Sequence, residues 1–401
     1  MEYKQLLKTF GPAWIVMIAD VDVASIVEGL QSGISWGYRL VFVMLILTIP
    51  LYFIQDAAGT LGTISGKGLG EAIRYKYGRK KAIVASIPMA VTDFLEYVVE
   101  YAGIALGLQL LGFPLIIGLP VFFILHIAVA TSKKYRHAEM FLIPISFILV
   151  ATIIWLSIIF PINFKDFVSY GLNPIQPYNN TSYDFLFAAS IGAVIMPWML
   201  FFHSGADSRK KLNKNNMRSE KLETLIGAMI SEILMVITVV VGFNFSKLDP
   251  NIEDYSNSVL SPKVFQNILL NFNHEAVYIF GIGFLASGFL ALVVISMASA
   301  WGTLEALNIR SHKSYIIIYI IESLPALILV FFSRNLVYLM IELMVIYTIV
   351  VAPPLYYLGK LVSDPVIMKG NPIRGGKIKI YWVLSFFVVL GGIIGLVSIF
   401  I

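Results

Sequence analysis

Apolar residues along this chain gather into long runs separated by short polar segments. A membrane-crossing helix needs about 20 mostly apolar residues. Eleven runs approach or exceed that length, at roughly 11–32, 39–62, 82–112, 114–131, 138–160, 184–204, 222–245, 276–306, 314–333, 336–361 and 380–401. The third and fourth are divided only by Gly112-Phe113-Pro114, residues that favour a tight turn. The pattern predicts an all-α polytopic membrane protein of about 11 transmembrane helices. Met1 to Trp14 leads into the first run without a small-residue cleavage site, so that run reads as a membrane helix and not a signal peptide.

Composition agrees. The 401 residues are 58% hydrophobic and only 13% charged, against roughly 25% charged in soluble domains. A soluble chain of this size has too little interior to hide that much apolar surface. The formal charge of +5 acquires a meaning once its positions are considered. With the N-terminus in the cytoplasm and sides alternating, the cytoplasmic segments hold 24 of the 29 Lys and Arg, from Lys4 and Lys8 through Lys133 and Lys134 to Lys379. The outside holds Arg39, Lys165, Lys247, Lys263 and Arg334. This asymmetry is the positive-inside signal. It predicts a cell-membrane protein with a cytoplasmic N-terminus and an outer C-terminus, and it leaves no excess charge that points to nucleic acid. Cysteine is absent, which excludes thiolate metal sites, disulfides and cysteine nucleophiles. The triplet Asn179-Asn180-Thr181 in the outer loop 161–183 is a chance-frequency glycosylation sequon.

Acidic residues inside apolar runs carry the candidate chemistry. An intramembrane carboxylate costs about 2.5–3.5 kcal/mol on insertion scales, so it faces a bundle interior or a water-filled cavity. Asp20, Asp22 and Glu28 lie in the first run, Asp56 in the second, Glu96 and Glu100 in the third, and Glu232, Glu322 and Glu342 later. No matching set of intramembrane Lys or Arg pairs with them, which implies protons or metal cations. Asp56 and Glu28 are expected at helix ends within reach of water, whereas Asp22 sits near the middle of its run. Pro197 interrupts the run Phe185–Phe202 just after Met196. Proline removes a backbone donor, and such a break is tolerated where the freed carbonyls face protein, water or an ion. The runs holding Asp22 and Met196 are five apart, the spacing of the first members of two five-helix repeats, whose broken helices form a midplane site. Gly103 and Gly107 form a small-residue pair suited to close helix packing.

These residues resemble the Nramp family of divalent metal transporters. The family's first-helix motif is Asp-Pro-Gly-Asn after Gly-Pro; here it reads Gly11-Pro12, then Asp22-Val23-Ala24-Ser25. Its sixth-helix Met-Pro-His-Asn with a downstream His-Ser reads Met196-Pro197-Trp198-Met199 with His203-Ser204. Similar stretches are Ser65-Gly66-Lys67, Glu100-Tyr101-Ala102-Gly103, Arg136 with Glu139, and Ser363-Asp364 with Met368-Lys369-Gly370. The departures are specific. Ser25 replaces the asparagine, Trp198 and Met199 replace His-Asn, Tyr97 stands where the third helix carries an aspartate, and Ile316–Ser323 holds Glu322 but no arginine.

The resemblance implies a leucine-transporter-like fold: a 5+5 inverted repeat plus one extra helix, with helices 1 and 6 broken at midplane. The first repeat is expected over 1–160, an outer loop over 161–183, the second repeat over 184–362, and an inner loop with helix 11 over 363–401. It implies a secondary transporter working by alternating access, with a metal site of Asp22, Ser25, the Ala193 carbonyl and Met196, and a proton pathway through Asp22, Glu100, Glu96 and His203. His203 sits near the cytoplasmic end of its helix, where capping is its plainer role. A thioether suits Mn²⁺ or Fe²⁺ better than Mg²⁺ or Ca²⁺, which prefer all-oxygen sites. The metal is cargo and no cofactor is implied. Alternatives are a Mg²⁺ or proton-uncoupled divalent cation transporter, an amino-acid or organic-cation transporter of the same fold, and a channel. No phosphate loop, metalloprotease motif or nucleophile elbow is present, so an enzyme is not expected.

Overall fold

A computed structural model describes residues 9–132, 134–178, 180–248, 262–332 and 336–400. Lys4, Lys8, Lys133, Asn179 and Arg334, which entered the charge and sequon arguments, lie outside the described residues, as do residues 249–261. Among the described residues the chain is helical and carries no strand.

The first predicted crossing is two helices, α1 (Pro12–Ala19) and α2 (Val23–Trp36). Then come α3 (Val41–Ser65), the short α4 (Leu69–Tyr77), α5 (Arg79–Leu110), α6 (Leu115–Ala130) and α7 (Tyr135–Ile159). The sixth crossing is also divided, into α8 (Thr181–Val194) and α9 (Pro197–Lys210). Next are α10 (Met217–Leu248), α11 (Pro262–Phe272), α12 (His274–Leu307), α13 (His312–Val330), α14 (Leu336–Val350), α15 (Ala352–Val362) and α16 (Gly376–Phe400). Among the described residues nine segments are long and apolar enough to cross a membrane. The 16-residue α6 and the split α1–α2 pair account for the other two apolar runs. The structure adds helices inside connections, α4 and α11. It also bends the tenth run at Val351, where Pro353 and Pro354 cannot donate to the helix.

The connections sort onto two faces. On one, Lys76 Nζ meets Asp364 at 2.6 Å, Arg209 meets Glu305 at 2.9 Å, and Lys210 meets Glu139 at 2.6 Å. All these segments were assigned to one side by their charge. On the other face Tyr38 Oη accepts from Asn163 N at 3.0 Å, Tyr183 donates to the Arg39 carbonyl, and Asn244 donates to the Pro161 carbonyl.

Helices α5 and α12 pack along each other in the centre, and α10 packs on α2 and α3. Small residues set the closest crossings. A Cβ on Gly107 would lie 2.8 Å from the Gly281 carbonyl oxygen, so the Gly103/Gly107 pair serves packing, as its spacing suggested. Large apolar side chains on α6, α7 and α16, among them Ile116, Ile158 and Phe386, point outward, which suits a lipid-covered perimeter.

The acids divide by position. Asp20, Asp22, Glu96, Glu100 and Glu232 are buried, whereas Glu342 is exposed. Glu28 is not at a wet helix end: it is fully buried inside α2, accepting from Ser32 and from Ser190 of α8. Asp56 is not at a helix end either: it is buried within α3, where it pairs with Lys221 at 2.7 Å.

Candidate metal site at the two helix breaks

Residues 20–22 leave the helical path, and Asp22, in extended conformation, caps α2 by accepting the Ser25 N–H at 2.7 Å. An aspartate is a favoured N-cap because its side-chain oxygen satisfies an orphan donor of the first turn. One carboxylate oxygen of Asp22 is thereby fixed, and the other, Oδ2, is buried with no hydrogen-bond partner. The carbonyl of Val21 accepts from Ser287 of α12 at 2.9 Å, so protein and not lipid satisfies the interrupted backbone.

The second break is its counterpart. α8 ends at Val194, Ile195 leaves the helix, and Met196 caps α9, whose first residue is Pro197. Proline at this first position costs no hydrogen bond, since that donor has no helical acceptor. The last carbonyls of α8 are left for other partners. That of Ala193 accepts from Ser25 Oγ at 3.3 Å, so the two breaks face each other. Met196 is fully buried, and its sulfur accepts from the Trp198 indole N–H at 3.1 Å. The residue that departs from the family motif thus orients the thioether.

Helix α5 brings two more carboxylates. Asp22, Glu96 and Glu100 are fully buried and offer one oxygen each within 4.8 Å of one another. Glu100 accepts from the Val23 N–H at 3.5 Å, and Glu96 accepts from Tyr347 of α14 at 2.7 Å. Each keeps one oxygen without a partner. At 4.8 Å and an effective dielectric of about 20, two like charges repel by about 3.5 kcal/mol. Three ionised carboxylates at this spacing therefore require neutralisation, by protons or by a cation. Asp93, buried on the same helix, was missed in the sequence; the i, i+3, i+7 spacing of Asp93, Glu96 and Glu100 is the signal that would have found it. The two departures at Tyr97 and Glu322 contact each other, with Tyr97 donating to Glu322 at 3.0 Å.

His203 is not at this cluster and does not cap a helix. It is fully buried within α9 beside Asp207 and Glu220, two further acids that sequence reasoning passed over. Glu220 stands among the basic residues 209–221 and Asp207 just before them, where acids read as members of a solvated charged stretch.

Helices broken in facing pairs, with unpaired carboxylates at the break, define a membrane transporter of the leucine-transporter fold and not an enzyme. Among solved structures, the Eremococcus coleocola manganese transporter in complex with an aromatic bis-isothiourea substituted compound is similar, with 18% identity over 99% of this chain and 87% of that one and a TM-score of 0.77. MhsT in complex with L-phenylalanine (13% identity, 96% of this chain and 98% of that one, TM-score 0.61) and Mhp1, a nucleobase-cation-symport-1 family transporter (13%, 97% and 91%, TM-score 0.64), share the fold. The profile of the Nramp family, natural resistance-associated macrophage protein-like, matches residues 13–398, and the chain belongs to that family.

Proposed function

We propose that this protein is a secondary transporter of divalent transition-metal ions of the Mn²⁺/Fe²⁺ kind, coupled to protons and working by alternating access. The observation that carries this reading is the hydrogen bond from Ser25 to the Ala193 carbonyl, because it joins the two helix breaks beside Asp22. Asp22 supplies a hard anionic oxygen, Ser25 a hydroxyl and Ala193 a carbonyl at the negative end of α8, which favours a cation. Met196 supplies the soft sulfur that disfavours Mg²⁺ and Ca²⁺. Asp22, Glu100 and Glu96 take protons when the metal leaves, since their shared burial demands neutralisation, and His203 extends the route along α9. The two repeats occupy 1–160 and 184–362, joined by the outer loop 161–183, with the inner loop and the extra helix over 363–401. The protein lies in the cell membrane with its N-terminus in the cytoplasm and its C-terminus outside, the arrangement that puts 24 of 29 cationic side chains inside.

One observation favours a second reading. Three convergent carboxylates form an all-oxygen set of the kind that holds Mg²⁺. In that case Met196 packs against Trp198, and transport is of Mg²⁺ or is uncoupled from protons.

Mn²⁺ uptake into proteoliposomes, compared among wild type, Asp22→Ala and Met196→Ala, decides between them. The transition-metal reading expects uptake to vanish in the aspartate variant and Mg²⁺ to become a stronger competitor in the methionine variant. No Mn²⁺ uptake by intact wild type, with Mg²⁺ uptake present, overturns it.

A further inference from the structure

We propose that His203, Asp207 and Glu220 form a second divalent-cation site, separate from the helix breaks. Their ligand atoms lie within 4.8 Å of one another and all three side chains are buried. His203 Nε2 stands 3.3 Å from Glu220 Oε1 and 4.0 Å from Asp207 Oδ2, yet has no hydrogen-bond partner. The other ring nitrogen explains its state. Nδ1 lies 3.1 Å from Gln55 Oε1, and a carbonyl oxygen only accepts, so Nδ1 carries a proton and Nε2 is the nitrogen turned toward the two acids, free to ligate a cation in the neutral tautomer. An imidazole held in this way by an outer hydrogen bond is the usual form of a metal-ligating histidine.

The rest of the surroundings fit a cation. Thr63 donates to Asp207 at 2.9 Å and Thr224 to Glu220 at 3.0 Å, fixing one oxygen of each. Asp207 Oδ1 and Glu220 Oε2 stay buried and unpartnered. Among the described residues neither acid has a lysine or arginine within 4.0 Å, because Lys221 is engaged with Asp56 and Lys210 with Glu139. Space at the ligand atoms is kept by Gly59 of α3: a Cβ there would lie 2.1 Å from Glu220 Oε1 and 2.7 Å from His203 Nε2. One nitrogen and two carboxylates suit Mn²⁺, Fe²⁺ or Zn²⁺. The site lies beyond the break along α9, toward the loop 211–216, and nothing in its geometry depends on Asp22.

The test is equilibrium Mn²⁺ binding to the purified full chain in detergent, with free Mn²⁺ read by electron paramagnetic resonance. Wild type is expected to bind two equivalents, Asp22→Ala one, and Asp22→Ala with Glu220→Gln none. An equivalent that persists in the double variant overturns the proposal, as does no binding by folded Asp22→Ala. Should Glu220→Gln fail to fold, electron spin-echo spectra of Mn²⁺ on the Asp22→Ala protein decide. Modulation from an imidazole nitrogen supports His203 as a ligand, and its absence overturns the site. If Glu220→Gln alone loses one equivalent while Asp22→Ala loses none, the His203 site stands and the helix-break site falls.

Discussion

Ser25 and Ala193, 168 positions apart in the chain, are joined by a hydrogen bond of 3.3 Å from the serine hydroxyl to the alanine carbonyl. It links the start of α2 to the end of α8 where both helices are interrupted. A net hydrogen bond is worth about 1 kcal/mol, and 1.4 kcal/mol is tenfold in an equilibrium. Ser25→Ala, which removes both this bond and a proposed ligand, is expected to raise the Mn²⁺ concentration for half-maximal uptake by about tenfold with the fold intact. An unchanged uptake curve removes Ser25 from the site.

Trp198 is expected to act through Met196. Its indole N–H, 3.1 Å from the sulfur, fixes the thioether, and phenylalanine fills much of the same buried volume without that donor. Trp198→Phe should lower discrimination between Mn²⁺ and Mg²⁺ in competition assays while preserving expression. Equal discrimination in the variant and wild type means that the indole contact is packing alone.

Glu96 and Glu100 share a cluster with Asp22 but are held by different donors, Tyr347 and the Val23 backbone. Replacing either by glutamine removes one negative charge and one protonatable oxygen at nearly constant shape. Mn²⁺ uptake driven by an imposed pH gradient should fall severalfold in Glu100→Gln, and uptake without a gradient should fall less. Parallel loss under both conditions assigns Glu100 to metal binding and not to proton coupling.

The crossing of α2 and α10 depends on two glycines that face each other's backbone. A Cβ on Gly33 would lie 2.1 Å from the Val239 carbonyl oxygen, and one on Gly242 would lie 2.1 Å from that of Leu30. Overpacking costs about 1–3 kcal/mol. Gly33→Ala and Gly242→Ala should each lower the melting temperature in detergent, followed by tryptophan fluorescence. The loss in the double variant should be less than additive, because one displacement of the helices relieves both clashes.

The surface pair of Lys76 and Asp364 gives a pH signature. The Lys76 ammonium beside it holds the Asp364 carboxyl below the usual carboxylate range, and the carboxylate raises Lys76 in turn. A depressed carboxylate contributes stability above its unfolded value of about 3.9 and loses it as pH falls through the lower folded value. The raised lysine contributes below about 10.4 and loses that contribution above it. Wild type should therefore melt slightly above Lys76→Ala from about pH 4 to pH 10, and the two should converge at lower pH. The difference should shrink with salt, since the pair is exposed. A difference that persists once Asp364 is protonated excludes the ion pair as its cause.

Much of the architecture was legible because its determinants are local. A run of about 20 apolar residues is a crossing wherever it lies in a chain, and cationic loops report sidedness by counting. The ion pairs Lys76–Asp364, Arg209–Glu305 and Lys210–Glu139 gather the segments that counting assigned to one side. Pro197 marked the second helix break and Asp22 the first, since a missing donor and a stranded carboxylate are properties of single residues.

What the sequence left open was every relationship that depends on how helices are rotated against one another. Glu232 and Glu342 both lie in apolar runs, yet one is buried and the other exposed. Glu28 resembled a residue near a wet helix end until two serines on different helices were found to hold it in the interior. The sequence by itself marked the apolar segments and the two breaks, through apolar length, a stranded carboxylate and proline. Only the tertiary structure decided that Glu96 and Glu100 converge on Asp22 while His203 joins Asp207 and Glu220. Burial and proximity of a charged group are set by the neighbouring helix, and a linear pattern carries no record of which neighbour that is.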